Sequence, residues 1–210
     1  MINGKIIKVC GMGEAANIEA MEQLMEVDFM GFIFYARSPR YVAEPPAYMP
    51  RHARRVGVFV DEELTMIHRQ VQRFGLEYVQ LHGHESPEQC QALRAEGLKV
   101  IKAFAIAQPD DLLRTRAYET ACDLFLFDTR CDGYGGSGRS FDWDALRAYT
   151  GSVPFLLSGG IGPHSAAALK AFDHPRLAGY DLNSRFETAP GLKDTTLLQA
   201  FLNELKNKNQ

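Results

Sequence analysis

The chain has 210 residues, 46% of them hydrophobic and 23% charged, with a formal net charge of -3. That length suits one domain with its own core, and the composition excludes a disordered chain. A slightly acidic balance is the wrong sign for a nucleic-acid binder, and no run is long enough for a membrane span.

Met1-Ile2-Asn3-Gly4 opens into an apolar run too short and too charged for a secretory leader. Predicted strands follow at Lys5–Cys10, Phe29–Phe34, Arg55–Val60, Tyr78–His82, Lys99–Phe104, Leu124–Asp128, Pro154–Ser158 and Ala178–Leu182. The segments between them read as helices, with apolar residues at i, i+3 and i+4. One runs from Ile18 to Met25. A second, Leu64 to Phe74, puts Leu64, Ile67, Val71 and Phe74 on one stripe, and a last helix carries Leu197, Leu198, Phe201 and Leu205.

Eight strand-then-helix repeats predict a parallel sheet. Eight units in this length fit a single-domain (β/α)8 TIM barrel over residues 1–205, with 206–210 as a solvated tail. An open doubly wound sheet would carry G-x-G-x-x-G after its first strand. Here that turn reads Cys10-Gly11-Met12-Gly13-Glu14-Ala15-Ala16, with no third glycine. Cys10, Cys90, Cys122 and Cys131 show no C-x-x-C spacing, against a zinc site or a disulfide framework and for a reduced, cytoplasmic setting.

Barrel function collects at the C-terminal ends of the strands. Strand alternation sends Ile7 and Val9 toward the helices, and Lys8 and Cys10 inward. By the same logic Gln80 and His82 point inward, as do Leu124, Leu126 and Asp128. A thiol, an imidazole and a carboxylate then meet at one mouth. Alone, Cys10 reads as a small buried hydrophobe and Asp128 as a cap; together at two strand ends they read as a proton-transfer pair. Lys8, one step deeper, is expected to lower the thiol pKa toward thiolate.

Other tracts carry two readings each. His82-Gly83-His84-Glu85 offers a polar substrate contact at His82, ahead of a metal site, since no third ligand is evident. Gly135-Gly136-Ser137-Gly138 is a turn, compatible with a cover over the site. Gly159-Gly160 after the seventh strand and Asn183-Ser184-Arg185 after the eighth suit a phosphate cradle. Arg40, in Arg37-Ser38-Pro39-Arg40-Tyr41, suits a carboxylate. Lys102 stands evenly between an inward position and the surface.

These tracts, in order along nearly the whole chain, resemble phosphoribosylanthranilate isomerases. The shared pieces include Lys8-Val9-Cys10-Gly11, Gly31-Phe32-Ile33-Phe34 with Ser38-Pro39-Arg40-Tyr41-Val42, Val56-Gly57-Val58-Phe59-Val60, Val79-Gln80-Leu81-His82-Gly83 and Leu126-Phe127-Asp128-Thr129. Gly135-Gly136-Ser137-Gly138 with Phe141-Asp142-Trp143, Leu157-Ser158-Gly159-Gly160, and Asp181-Leu182-Asn183-Ser184 with Glu187, Pro190-Gly191, Lys193 and Asp194 complete the set.

The resemblance implies a cofactor-free, metal-free Amadori rearrangement of N-(5'-phosphoribosyl)anthranilate in tryptophan biosynthesis. By it, Asp128 is the general acid and Cys10 the general base. Arg40 holds the anthranilate carboxylate. Lys8, His82 and Asp181 line the site, and Gly159, Gly160, Asn183 and Ser184 hold the phosphate. The implied partner is a small phosphorylated substrate, bound by a monomer or a homodimer. The chain departs from the family at Arg185, where glycine is usual, and at Gly13, where a longer side chain is common. Competing readings are a related ribotide isomerase, expected to end its first strand in aspartate, and a barrel that binds a phosphorylated ligand without turnover.

Overall fold

The computed structural model describes residues 1–129 and 143–207. Eight parallel strands close into a barrel: β1 (Ile6–Cys10), β2 (Phe29–Ile33), β3 (Arg54–Phe59), β4 (Tyr78–Leu81), β5 (Lys99–Ile106), β6 (Leu124–Thr129), β7 (Phe155–Ser158) and β8 (Leu177–Leu182). The closing pair is β1 with β8, in a register that sets Lys8 against Asp181. The predicted barrel is therefore present, with strand ends displaced by a residue or two.

Alternation sorts the side chains into two layers. Phe29, Val56, Ile101, Ala103, Leu124 and Leu126 fill the barrel interior. Ile7, Val9, Phe125, Phe127, Phe155 and Leu157 pack outward under the helices in the larger core. Phe127 packs tilted or edge-on against Phe155, Tyr149 and Phe104, with ring centroids 4.7, 5.1 and 6.3 Å away.

The helices start and stop for local reasons. In α1 (Ala15–Glu22), the Glu14 carboxylate accepts from the N–H groups of Ala16 and Asn17, which starts the helix three residues before the expected Ile18. Helix α2 (Leu64–Phe74) matches its predicted span and ends on Gly75, whose left-handed φ of 58° lets its N–H return to Val71. Helix α3 (Pro87–Ala95) opens with a reciprocal Ser86–Gln89 capping box and proline in its first turn. A short α4 (Ala166–Ala171) follows β7, and α5 (Thr195–Lys206) begins where Asp194 accepts from Leu197 N–H at 2.9 Å.

Strict strand-helix alternation fails in two places. Residues 34–53, between β2 and β3, contain no helix. Pro39, Pro45, Pro46 and Pro50 remove donors and bar the helical conformation of the residues before them. The segments Pro109–Tyr118 and Trp143–Ala148 wind as 3-10 helices. In the first, the Thr115 hydroxyl donates to Leu112 O at 2.7 Å, a tight i−3 closure.

Past β8, a hairpin of β9 (Glu187–Ala189) and β10 (Leu192–Lys193) turns over Pro190-Gly191. It lies between the barrel mouth and α1: Asn17 accepts from Lys193 N–H and donates to Lys193 O, both at 2.8 Å. The last helix extends one residue past the predicted barrel limit, and residues 208–210 of the predicted tail lie outside the described residues.

Candidate active site

The C-terminal ends of the strands enclose a cavity of about 270 Å³. Cys10, Gln80, His82, Asp128, Ser158 and Asp181 reach it from the strands and their ends. Gly159 and Gly160 reach it from the loop after β7, and Asn183, Ser184 and Arg185 from the turn after β8. The strand alternation read from the sequence thus brings the thiol, the imidazole and the carboxylate to one space.

Cys10 is 4% exposed. Gly31, its neighbour on β2, leaves room for the sulfur: a Cβ there would lie 2.7 Å from Sγ. Lys8 is fully buried below it and donates to Asp181 Oδ1 at 2.7 Å; Ser158 Oγ donates to the other oxygen at 3.2 Å. Burial works against the Lys8 ammonium, but Asp181 and the thiol outweigh it and hold its pKa above the ordinary lysine value. The thiol departs from expectation. Burial pushes Cys10 up, and Lys8 opposes this without overcoming it, because Lys8 spends its charge largely on Asp181, which itself disfavours a thiolate.

His82 stands just past β4, its N–H still held by Phe59 O at 2.8 Å. Gln80 Nε2 is 3.0 Å from His82 Nδ1. With the amide nitrogen donating, the ring proton sits on Nε2, which faces Asp128 Oδ2 at 3.8 Å, beyond direct hydrogen bonding. The Asp128 side chain is 40% exposed at the mouth.

The residues expected to form a phosphate cradle also gather at the cavity. Gly159 and Gly160 both have left-handed φ, 87° and 66°, a backbone path that other residues adopt at a cost. Arg185 lies across Gly162, where a Cβ would sit 2.8 Å from its Cδ, so the side chain that departs from the family pattern borders the same cavity. At the other departure, a Cβ on Gly13 would come 3.1 Å from Val42, which leaves little room for a longer side chain.

Two expected residues sit differently. Arg40 does not line the cavity; its guanidinium grips Glu187, with Nε to Oε1 at 2.8 Å and Nη2 to Oε2 at 2.6 Å. That grip raises the Arg40 pKa further. Lys102 is neither inside the barrel nor on the surface. It points outward between β5 and α3, donating to the carbonyls of Leu81 at 3.1 Å and Gly83 at 2.8 Å and pairing with Glu85 at 3.2 Å. The tract Gly135-Gly136-Ser137-Gly138, with Phe141 and Asp142, lies outside the described residues.

Glu187 and Lys193 enter the site without having been given a role from the sequence. Lys193 donates to Asn183 Oδ1 at 2.8 Å and to Glu187. The Pro190-Gly191 turn between them was the available signal, since a tight turn brings its flanks together.

A family model described as N-(5'phosphoribosyl)anthranilate (PRA) isomerase matches residues 7–204. An N-(5'-phosphoribosyl)anthranilate isomerase of Phocaeicola vulgatus is 55% identical over 205 residues, covering 98% of this chain and all of the relative. The crystal structure of phosphoribosyl anthranilate isomerase from Thermotoga maritima superposes with a TM-score of 0.81 at 31% identity, covering 96% of this chain and 98% of that one. A second solved structure of such an isomerase, in complex with reduced 1-(o-carboxyphenylamino)-1-deoxyribulose 5-phosphate, gives a TM-score of 0.78 at 30% identity, covering 96% of this chain and 98% of that one.

Proposed function

The chain belongs to the N-(5'-phosphoribosyl)anthranilate isomerase family, and we propose that Cys10 and Asp128 are the base and the acid of that family's reaction here. The protein is an isomerase of tryptophan biosynthesis. It converts N-(5'-phosphoribosyl)anthranilate into 1-(2-carboxyphenylamino)-1-deoxyribulose 5-phosphate.

One observation carries the residue assignment: Cys10 and Asp128 face a single cavity from strands three places apart around the barrel and share it with the glycine-rich loop after β7. The protonated Asp128 carboxyl gives its proton to the ribose ring oxygen. The ring C–O bond breaks, and the nitrogen lone pair forms the C=N bond of a Schiff base. The Cys10 thiolate then removes the proton from C2', and those electrons become the C=C bond of an enolamine. Tautomerisation of that enol gives the ketone. Each step needs one group at one end of the reacting carbons, which suits two proton-transfer residues on separate strands. His82 and Asp181 flank the reacting atoms, with Lys8 beneath. Gly159, Gly160, Asn183 and Ser184 receive the phosphate. Arg40 takes the anthranilate carboxylate, for which Glu187 holds its guanidinium ready.

A thiol base needs a reducing compartment, which supports a cytoplasmic enzyme; Cys10, Cys90 and Cys122 are free. Cys10 and Asp128 stand on β1 and β6 of one barrel, so the proton-transfer pair itself forms in a monomer and in a homodimer alike. A related ribotide isomerase is disfavoured by Cys10 at the end of β1.

The test is turnover of freshly generated N-(5'-phosphoribosyl)anthranilate, followed by loss of its fluorescence. Wild type should consume it, and Asp128→Asn should fall to background. A folded wild type that leaves the substrate intact would overturn the reading; an active Asp128→Asn would remove Asp128 from the role of acid.

A further inference from the structure

The hairpin past β8 holds a buried ammonium that the reaction does not use directly. The Lys193 side chain has no exposure to solvent. Its backbone is clamped on both sides by the Asn17 amide of α1, so the side chain springs from a fixed point. From there it donates to Asn183 Oδ1 at 2.8 Å and to the Glu187 carboxylate, which also accepts from Gly191 N–H at 3.1 Å. Glu187 in turn grips Arg40 through two guanidinium nitrogens.

A lysine ammonium has donors only. The Asn183 atom that faces it is therefore the carbonyl oxygen, and the amide N–H₂ is turned away from Lys193; Asn183 itself borders the cavity. The same ammonium, by holding Glu187, fixes the acceptor that orients Arg40. All three groups converge over Gly11, next to the thiol. A Cβ on Gly11 would lie 2.6 Å from Arg40 Cδ, 3.0 Å from Asn183 Oδ1 and 3.4 Å from Lys193 Nζ.

Packing does not account for this choice of residue. Methionine would fill the same space but would strip the donor from Asn183 Oδ1 and one cation from Glu187, so what lysine adds here is its charge and its donors. The charge count points the same way. Arg40 and Lys193 share the single carboxylate of Glu187, which leaves this corner with one positive charge in excess. The Cys10 thiolate, which interacts with both cations, and the substrate's aromatic carboxylate are the anions that would share it.

We propose that Lys193 is a positioning residue that couples the two ends of the substrate site, setting Arg40 through Glu187 for the carboxylate and aiming the Asn183 amide N–H₂ into the cavity. The inference rests on the isomerase reading above. It makes the carboxylate end and the Asn183 end parts of one device rather than two.

The experiment is steady-state kinetics with N-(5'-phosphoribosyl)anthranilate on wild type, Lys193→Met, Arg40→Ala and the double variant. Lys193→Met should raise KM by about tenfold or more while kcat changes by less than about threefold. Arg40→Ala should also mainly raise KM. In the double variant the two effects on kcat/KM should fall short of their product, because both act on one carboxylate contact. A merely structural lysine would give independent effects that multiply. Should Lys193→Met fail to fold, Glu187→Gln keeps the shape, and it should show the same KM rise and the same shortfall with Arg40→Ala. An unchanged KM in the folded variant, or fully multiplying effects, overturns the inference while leaving the isomerase reading intact. A folded wild type without turnover overturns both.

Discussion

Cys10 is the residue whose surroundings pull hardest in opposite directions. Burial and Asp181 disfavour its thiolate, while Lys8 and Lys193 favour it, and the outcome is a thiol titrating above its ordinary value. Arg40 reaches the same neighbourhood from the β2–β3 connection, and His82 and Asp128 border the cavity that Cys10 lines. As the proposed base, Cys10 has a definite pH signature. The active thiolate fraction grows as pH rises, so kcat/KM should increase with pH along a limb set by Cys10. Cys10→Ser should abolish that limb and lower kcat by about 10²- to 10⁴-fold with little change in KM. Retention of the limb in Cys10→Ser would assign it to another group.

The connection between β2 and β3 shows how an element without regular structure is held. It carries Arg40, contains four prolines, and makes few backbone bonds of its own. Glu22, at the end of α1, supplies the anchor: its carboxylate accepts from His52 N–H at 2.7 Å, from Arg51 N–H and from the Tyr48 hydroxyl. Burial works against this carboxylate, but those donors outweigh it and hold its pKa below the usual glutamate range. The stabilisation is therefore complete above the unfolded glutamate pKa of about 4.3 and is lost as pH falls through the lower folded value. Glu22→Ala should destabilise the protein by about 1–3 kcal/mol in urea melts near neutral pH, with the difference from wild type shrinking in acid. A difference that stays constant down to low pH would show that the carboxylate charge is not what anchors the loop.

At the scale of the whole barrel, two of the buried ion pairs among the described residues tie the structure at different depths. Lys8–Asp181 ties β1 to β8 inside the barrel where the sheet closes. Lys102–Glu85 lies outside the sheet beneath α3, where Glu85 also accepts from Asp61 N–H and Gly83 N–H, each at 2.9 Å. Glu85 thereby fastens the loops after β3 and β4 on the catalytic face. Glu85→Ala would leave the Lys102 ammonium buried among carbonyls and the Phe104 and Tyr118 rings without its carboxylate, and should cost about 3–5 kcal/mol in global stability, read from guanidinium denaturation. A loss under about 1 kcal/mol would mean that the carbonyls of Leu81 and Gly83 suffice for that charge.

Much of this was legible in the residues alone. The period-two alternation along each strand determined that Cys10 and Asp128 face inward, because a strand offers only two faces and the aromatic or aliphatic set must take the packed one. The order of strands and the glycines after β7 pointed to the loop that borders the cavity beside Asn183 and Ser184. The prolines of residues 37–50 were equally visible and contradicted a helix between β2 and β3, which the count of repeats overrode.

Other features had no local signature. Lys102 sits on a strand where an outward position is neither solvent nor core until α3 and the Pro109–Tyr118 helix cover it, so its burial depends on packing. The grip of Glu187 on Arg40 joins residues 147 positions apart. Lys8, expected from sequence to serve the thiol, is claimed by Asp181 from 173 positions away. The sequence by itself determined which side chains reach the mouth of the barrel, since that follows from local backbone period. Only the tertiary structure decided which charges meet there, because the partners of a charge are brought by chain closure and no period encodes them.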